Sequence, residues 1–316
     1  MPVLNPHPIT GLRGIYNSDY YLWVKLGKMK KIVSLVLFIV SLCFAGCSHG
    51  SEKDAIKALT FNIRYDNPED GINAWTNRIS LINNFISEVK PDIMGLQEVL
   101  WRQYEVLDTL LKDYKSVGVG REDGARQGEM NPVFYLKDRF NLVRTITFWL
   151  SETPEVPGSR NWGSSLPRIV TWLELVDSRS KKHFYVFNTH FAHDSDSARK
   201  MSSRILLSVI QKTAGGYPFI VTGDFNMLPY STSYSILTGP DESVPLLKDS
   251  YFISEKKPSG PAYTTNGFED RPGNGRVDYV FVKNGMKVLD HQTFIRKEND
   301  VFLSDHWPVM ALVSIN

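Results

Sequence analysis

Apolar residues along this chain come mostly in short runs, and many runs end in a residue able to bind or donate. Ile56 to Ile63 reads as a strand. Ile79, Ile82, Phe85, Ile86 and Val89 keep helical spacing, and Pro91 stops the helix. Asp92 to Leu96 reads as a strand and Trp101 to Leu111 as a helix. Val133 to Leu136, Ile169 to Val176 and Phe184 to Asn188 read as strands. Ile205, Leu206, Val209 and Ile210 mark one helix face. Further strands are expected at Phe219 to Val221, Val277 to Val282, Val288 to Ile295 and Val309 to Ile315. No repeat or long Pro/Gly/Ser linker interrupts 56–316, so that stretch is expected to be one domain. Short strands with few helices predict an α/β fold of two stacked sheets with helices outside. The loops 151–167 and 254–276 are long, and long ordered loops in a compact domain tend to be functional.

The first residues have a different pattern. Met29-Lys30-Lys31 is a basic opening, Ile32 to Leu42 is apolar but short for a membrane span, and Phe44-Ala45-Gly46-Cys47 puts small residues before a Cys. This resembles a bacterial lipoprotein signal at 29–46 that would make Cys47 the lipidated first residue. A plain secretory signal is the alternative. Residues 1–28 fit neither signal nor domain, and translation is expected to start at Met29. Residues 47–55 read as a polar tether, which leaves 56–316 as the folded domain. The expected location is the bacterial cell envelope, anchored to a membrane through the lipid at Cys47.

Composition is ordinary for a globular protein, 42% hydrophobic and 22% charged. The formal charge of +2 overstates the domain, because residues 1–46 carry five basic residues against Asp19. The remainder is near −2. That balance, with no Lys/Arg stripe, disfavours non-specific duplex binding. Both cysteines, Cys43 and Cys47, lie in the signal region, so the domain has neither disulfide nor thiolate site.

Candidate chemistry collects at the strand ends. Asn62 comes late in the first strand, Glu98 comes after Gly95-Leu96-Gln97, and His190 closes Asn188-Thr189. Asp224 and Asn226 stand two apart after Phe219-Ile220-Val221-Thr222-Gly223 and would face the same way in an extended segment. Arg276-Val277-Asp278 opens another strand, and Ser304-Asp305-His306 precedes the last. Each has a plainer reading: a polar turn at Asp224 and Asn226, a helix-start acid at Glu98, a turn at Asp305. Together they predict one polar cleft. Carboxylates, amides and imidazoles without Cys suit a hard cation such as Mg²⁺ or Mn²⁺. There is no Gly-x-Ser-x-Gly elbow, and metal-assisted attack of water on phosphorus fits the residue types.

The ordered set TFN, GLQEV, NTH, GDFN, RVDYVF and SDHWPV resembles the endonuclease/exonuclease/phosphatase superfamily over Lys57 to the C-terminus. The resemblance implies an α/β four-layer sandwich of two mixed β-sheets flanked by helices, the deoxyribonuclease-I-like fold. It implies Glu98 as principal metal carboxylate, with Asn62 at metal and phosphate and Asp305 as an additional metal or water-positioning carboxylate. Asp224 would orient or deprotonate the attacking water, and Asn226 would hydrogen-bond the developing phosphorane. His306 would contact the scissile phosphate, oriented by Asp278. His190 is the second active-site His, Glu129 its hydrogen-bond partner, and Arg168 a phosphate contact.

The segment Trp75-Thr76-Asn77-Arg78 is similar to the deadenylase/nocturnin branch. Trp162 is the loop aromatic expected to touch substrate, whereas His193, Asp194 and Asp196 read as a solvated loop. The implied activity is hydrolysis of phosphate esters, mono or di, by a monomer. An extracellular nuclease and a catalytically silent binding lipoprotein are the alternatives.

Overall fold

A computed structural model describes residues 54–239, 247–273 and 275–316. The segment expected to be a signal, Cys47 and the chain to residue 53 lie outside the described residues. The packed domain begins slightly before the expected boundary. Arg139 donates to the carbonyls of Asp54 and Ala55 while ion-paired to Asp92 and Asp177, so residues 54 and 55 belong to the fold rather than the tether.

One sheet holds β1 (Ile56–Asn62), β2 (Ile93–Gln97), β3 (Tyr114–Val117), β4 (Val133–Leu136), β11 (Met286–Thr293) and β14 (Val309–Ile315), in the order β11-β14-β1-β2-β4-β3. The other holds β5 (Phe140–Trp149), β6 (Ile169–Asp177), β7 (His183–His190), β8 (Phe219–Asp224), β9 (Lys248–Asp249) and β10 (Asp278–Lys283), in the order β5-β6-β7-β8-β10-β9. Both are mixed: β1 and β2 are parallel, as are β7 and β8, and the other pairs are antiparallel. A small ribbon, β12 (Lys297–Glu298) with β13 (Val301–Phe302), stands apart.

Burial defines the layers. Ile56, Ala58, Ile93, Val186, Ile220, Val280, Val309 and Ala311 fill the space between the sheets. Strands buried on both faces read as continuous apolar runs, which is why β8 and β10 do not alternate. The outer face of the first sheet, with Leu59, Phe61, Met94 and Leu96, packs Ile82, Phe85 and Ile86 of α1 (Trp75–Val89) and Leu107 of α2 (Trp101–Leu110). The outer face of the second, with Phe187, Phe219, Val221 and Phe281, packs Leu206, Leu207 and Ile210 of α3 (Asp196–Thr213) and Leu237 of α4 (Thr232–Thr238). This is the expected four-layer sandwich. Several elements were not expected, among them α4, the short β9, β12 and β13, and the strands β3 and β5. β3 and β5 are the two edge strands at one side of the sandwich. β5 is exposed over most of its middle and shifts register between Leu142 and Arg144, which hides its alternation.

At one end the space between the sheets becomes polar. Gln97 donates to Asn188 Oδ1 at 2.7 Å, and Asn188 donates to the carbonyls of Leu96 and Pro132. A Cβ on Gly95 would lie 2.0 Å from Thr222 Oγ1, so only glycine lets the sheets approach this closely. That end is the carboxyl end of β1, β2, β7 and β8.

Candidate active site

Strand register sets the first row of the site. His190, the last residue of β7, pairs with Asp224, the last of β8, which pairs with Asp278, the first of β10. Three functional groups therefore stand side by side at one sheet end. The other sheet adds Asn62 at the end of β1 and Glu98 just past β2. Asn62 Nδ2 donates to Glu98 Oε1 and to Asp224 Oδ2, both at 3.0 Å, and so joins the two sheets. Three residues just beyond strand ends take the left-handed conformation, Arg64 (φ 59°), Glu98 (φ 60°) and Asn226 (φ 47°). Such backbone costs energy for a side-chain-bearing residue and concentrates at functional sites. Here it is held by side-chain bonds: Tyr65 N–H donates to Glu98, and Asn226 N–H donates to Asp224 Oδ1 at 2.9 Å.

The Ser304-Asp305-His306 segment enters from the first sheet. Ser304 Oγ donates to the Asn62 carbonyl at 2.7 Å. The loop 254–276 braces it, since Asn266 donates to Ser304 O and Trp307 N–H to Thr264 O. His306 Nδ1 lies 2.9 Å from Asp278 Oδ2 and 3.8 Å from Asp224 Oδ2. Burial alone would depress the His306 pKa, but these two carboxylates outweigh it and hold it well above the ordinary imidazole value. Burial and the Asp278 charge push Asp224 up to about 7, against the opposing pull of His306.

His190 is the other imidazole, and its environment is the reverse. Burial, then Arg168 and Arg121, hold its pKa well below the usual value. Its Nε2 lies 3.0 Å from Asn226 Nδ2, so it accepts there. Glu129 is close to His190 but does not bond it as expected. The separation from Nδ1 is 3.9 Å, and Nδ1 is buried without a partner. Glu129 is instead held in a bidentate pair by Arg121 at 2.8 and 3.0 Å. A charged guanidinium competes better for a carboxylate than a neutral imidazole does.

Arg168 is buried beside this group. Its Nη2 contacts His193 Nδ1 at 2.9 Å, while Nε and Nη1 have no partner. A buried guanidinium with unused donors is costly unless an anion completes it. Asp305 lies 3.6 Å from Arg64, itself committed to Asp70 in two bonds at 3.0 and 2.9 Å. Burial raises the Asp305 pKa, and the charge of Glu98 adds to that.

The cleft formed by these groups encloses about 380 Å³. Its lining includes Glu98, Glu129, Arg168, His190, Asp224, Asn226 and His306, with Arg64, Tyr65, Leu166 and His193. A more open groove between the edges of β3 and β5 carries none of the strand-end residues. Trp162 is not in the lining; its carbonyl accepts from Ser195 in a loop contact. His193, expected in a solvated loop, is exposed but stands at the cleft wall. Arg64, Arg121 and His193 had no signal in the sequence beyond nearness to motif residues. Arg78 of the Trp75–Arg78 segment is not in the cleft lining and touches it only at the backbone of Arg64. It is fully buried and donates to the carbonyls of Asn73, Ile63, Arg64 and Leu303, tying the end of β1 to the Ser304–His306 loop.

The model for the endonuclease/exonuclease/phosphatase family matches residues 59–306. The chain belongs to this family. A solved endonuclease/exonuclease/phosphatase from Bacteroides vulgatus is 35% identical, with a TM-score of 0.79, covering 83% of this chain and 99% of that one. A mannosyl-6-phosphatase of Bacteroides thetaiotaomicron is 29% identical, with a TM-score of 0.75, covering 82% of this chain and 100% of that one. Nocturnin of Drosophila melanogaster is 26% identical over 217 residues, 62% of this chain and 32% of that protein. Enzymes of this family act on phosphate esters, and this chain is a phosphoesterase.

Proposed function

We propose that the protein is a divalent-metal-dependent hydrolase of small phosphate monoesters, with sugar phosphates as the first class to test. The observation that carries this reading is Arg168, a buried guanidinium in the cleft lining beside His190 and Asp224 whose Nε and Nη1 have no partner among the described residues. A dianionic phosphoryl group would satisfy it. The bounded cleft of about 380 Å³ and the likeness to a mannosyl-6-phosphatase favour a small substrate.

The donor set suits a hard cation. Glu98 and Asp305 are oxygen ligands, and both act on Arg64, whose guanidinium is shared with Asp70. Mg²⁺ or Mn²⁺ at Glu98, Asp305 and Asn62 would supply charge neutralisation at the phosphoryl oxygens. Asp224, Asp278 and His306 also place three donor atoms within 4.8 Å of one another. We assign that group to proton handling, because the 2.9 Å Asp278–His306 hydrogen bond already uses the facing lone pair.

The chain's own residues then divide the work. Asp224, poised near neutrality, takes the proton of the attacking water. His306, kept protonated by Asp278 and Asp224, donates to a phosphoryl oxygen and offsets the charge that grows there. Asn226, left-handed, donates to His190 Nε2, the Phe191 carbonyl and Asp224 Oδ1, and so holds His190 and Asp224 in place. The ester P–O bond breaks, and the alcohol leaves, taking up a proton from water.

The pattern at 29–47 supports action at the cell envelope through a lipid on Cys47. The expected signature is membrane partition and fatty-acid incorporation that Cys47→Ser abolishes. A nuclease is the second reading, favoured by the nocturnin likeness. Assaying hexose phosphates, bis-p-nitrophenyl phosphate, RNA and single-stranded DNA with Mg²⁺ or Mn²⁺ decides between them. Preference for RNA or the diester over every monoester overturns the monoester reading.

A further inference from the structure

We propose that His193 is a specificity-determining residue, presenting a fixed N–H donor to an oxygen of the leaving alcohol beside the phosphoryl group that Arg168 takes. This rests on the monoester reading above. A guanidinium has donors only, so the 2.9 Å contact from Arg168 Nη2 requires a lone pair on His193 Nδ1. The neutral ring must then carry its proton on Nε2. That nitrogen makes no hydrogen bond among the described residues.

The imidazole stands on a braced turn. Arg199 Nη1 donates to the carbonyls of Ala192 and His193 at 2.9 and 3.1 Å. Asp194 accepts from Ser165 N–H at 2.9 Å, and Ser195 Oγ donates to Trp162 O at 2.6 Å. Two consecutive residues thus fasten the loop 151–167 to the turn, setting Leu166 and His193 in the same cleft lining. Depth orders the groups. Arg168, His190 and Asp224 are buried, whereas His193 is exposed. Arg168 and His193 line the same cleft and touch through Nη2, so an anion held at Arg168 has His193 next to it, on the solvent side, where the alcohol would project. A sugar or polyol phosphate carries a hydroxyl or ring oxygen near its ester, which an N–H donor can hold; phenyl phosphate does not.

His193→Asn separates the two roles of the ring. The amide oxygen can replace Nδ1 as acceptor for Arg168, while the amide nitrogen stops short of the place of Nε2 and its donor. Because the side chain is exposed, folding should survive, checked by circular dichroism. The quantity read is kcat/KM for a hexose 6-phosphate divided by kcat/KM for phenyl phosphate. We expect His193→Asn to lower this ratio about tenfold, the usual scale of one lost hydrogen bond. ¹⁵N-histidine NMR should show the Nε2–H tautomer in the free protein and a shift of that nitrogen on adding hexose 6-phosphate at low metal. An unchanged ratio, or an Nδ1–H tautomer, overturns the proposal. A wild type that hydrolyses neither compound overturns the monoester reading itself, and this inference with it.

Discussion

Asp224 and Asp278 sit directly opposite each other on antiparallel strands, two buried carboxylates brought together by register. Like charges in this position repel, and the pairing is tolerable because His306 lies between them, 2.9 Å from Asp278 and 3.8 Å from Asp224. Each of the three depends on the others. His306→Ala and Asp278→Asn should each reduce kcat/KM by about 10²–10⁴-fold. The double variant should be little worse than His306→Ala, as expected for residues that act as a unit. Losses that multiply in steady-state kinetics of well-folded variants would separate the two roles.

The raised carboxyl of Asp224 predicts the pH profile. Its pKa is pushed up to about 7, and as a base it must be ionised. Activity should therefore rise as pH climbs through 7 and level off above it. Asp224→Asn should remove this acid limb along with most of the rate. The check is log kcat/KM against pH; a profile flat from about pH 5 to 9 contradicts the assignment of Asp224 as base. For stability the sign is opposite. A folded pKa above the unfolded value of 3.8 means that the contribution of Asp224 is present at low pH and is lost as pH rises through 7.

Metal removal tests the oxygen-ligand set. Dialysis against EDTA should abolish hydrolysis, and Mg²⁺ or Mn²⁺ should restore it. Glu98→Gln keeps the shape but removes a charge, so its activation curve should move to much higher metal concentration. Full activity after exhaustive chelation is the contrary result.

Arg78 predicts a stability effect without direct contact with substrate. Arg78→Met fills much of the volume but leaves the carbonyls of Asn73, Ile63 and Leu303 without their donor, while that of Arg64 keeps Gln103. Unsatisfied buried groups cost about 1–3 kcal/mol each, so a loss of about 3 kcal/mol or more is expected. In a domain of this size that is about 6–12 °C in thermal midpoint by calorimetry. Activity should fall too, because one of the two hydrogen-bond ties of the Ser304–His306 loop to the end of β1 is gone, and only that of Ser304 to the Asn62 carbonyl remains. An unchanged midpoint would mean that water replaces the guanidinium.

Most core strands, the three long helices and the strand-end positions of the candidate site were legible in the sequence, for a local reason. Residues buried on both faces must be apolar in succession, and the residue just past the strand end is free to be polar. Runs such as Phe219 to Val221 therefore announce both a strand and the functional group after it. β5 escaped because an exposed edge strand with a register shift carries no such signal. What only the tertiary structure decided is the partner of each group. Glu129 bonds Arg121 rather than His190, Arg78 reaches Leu303 across 225 positions, and His193 meets Arg168 at the cleft wall. Charge and hydrogen-bond partners are chosen by competition in space. That competition depends on how two sheets and two long loops come together, which no local pattern of residues records.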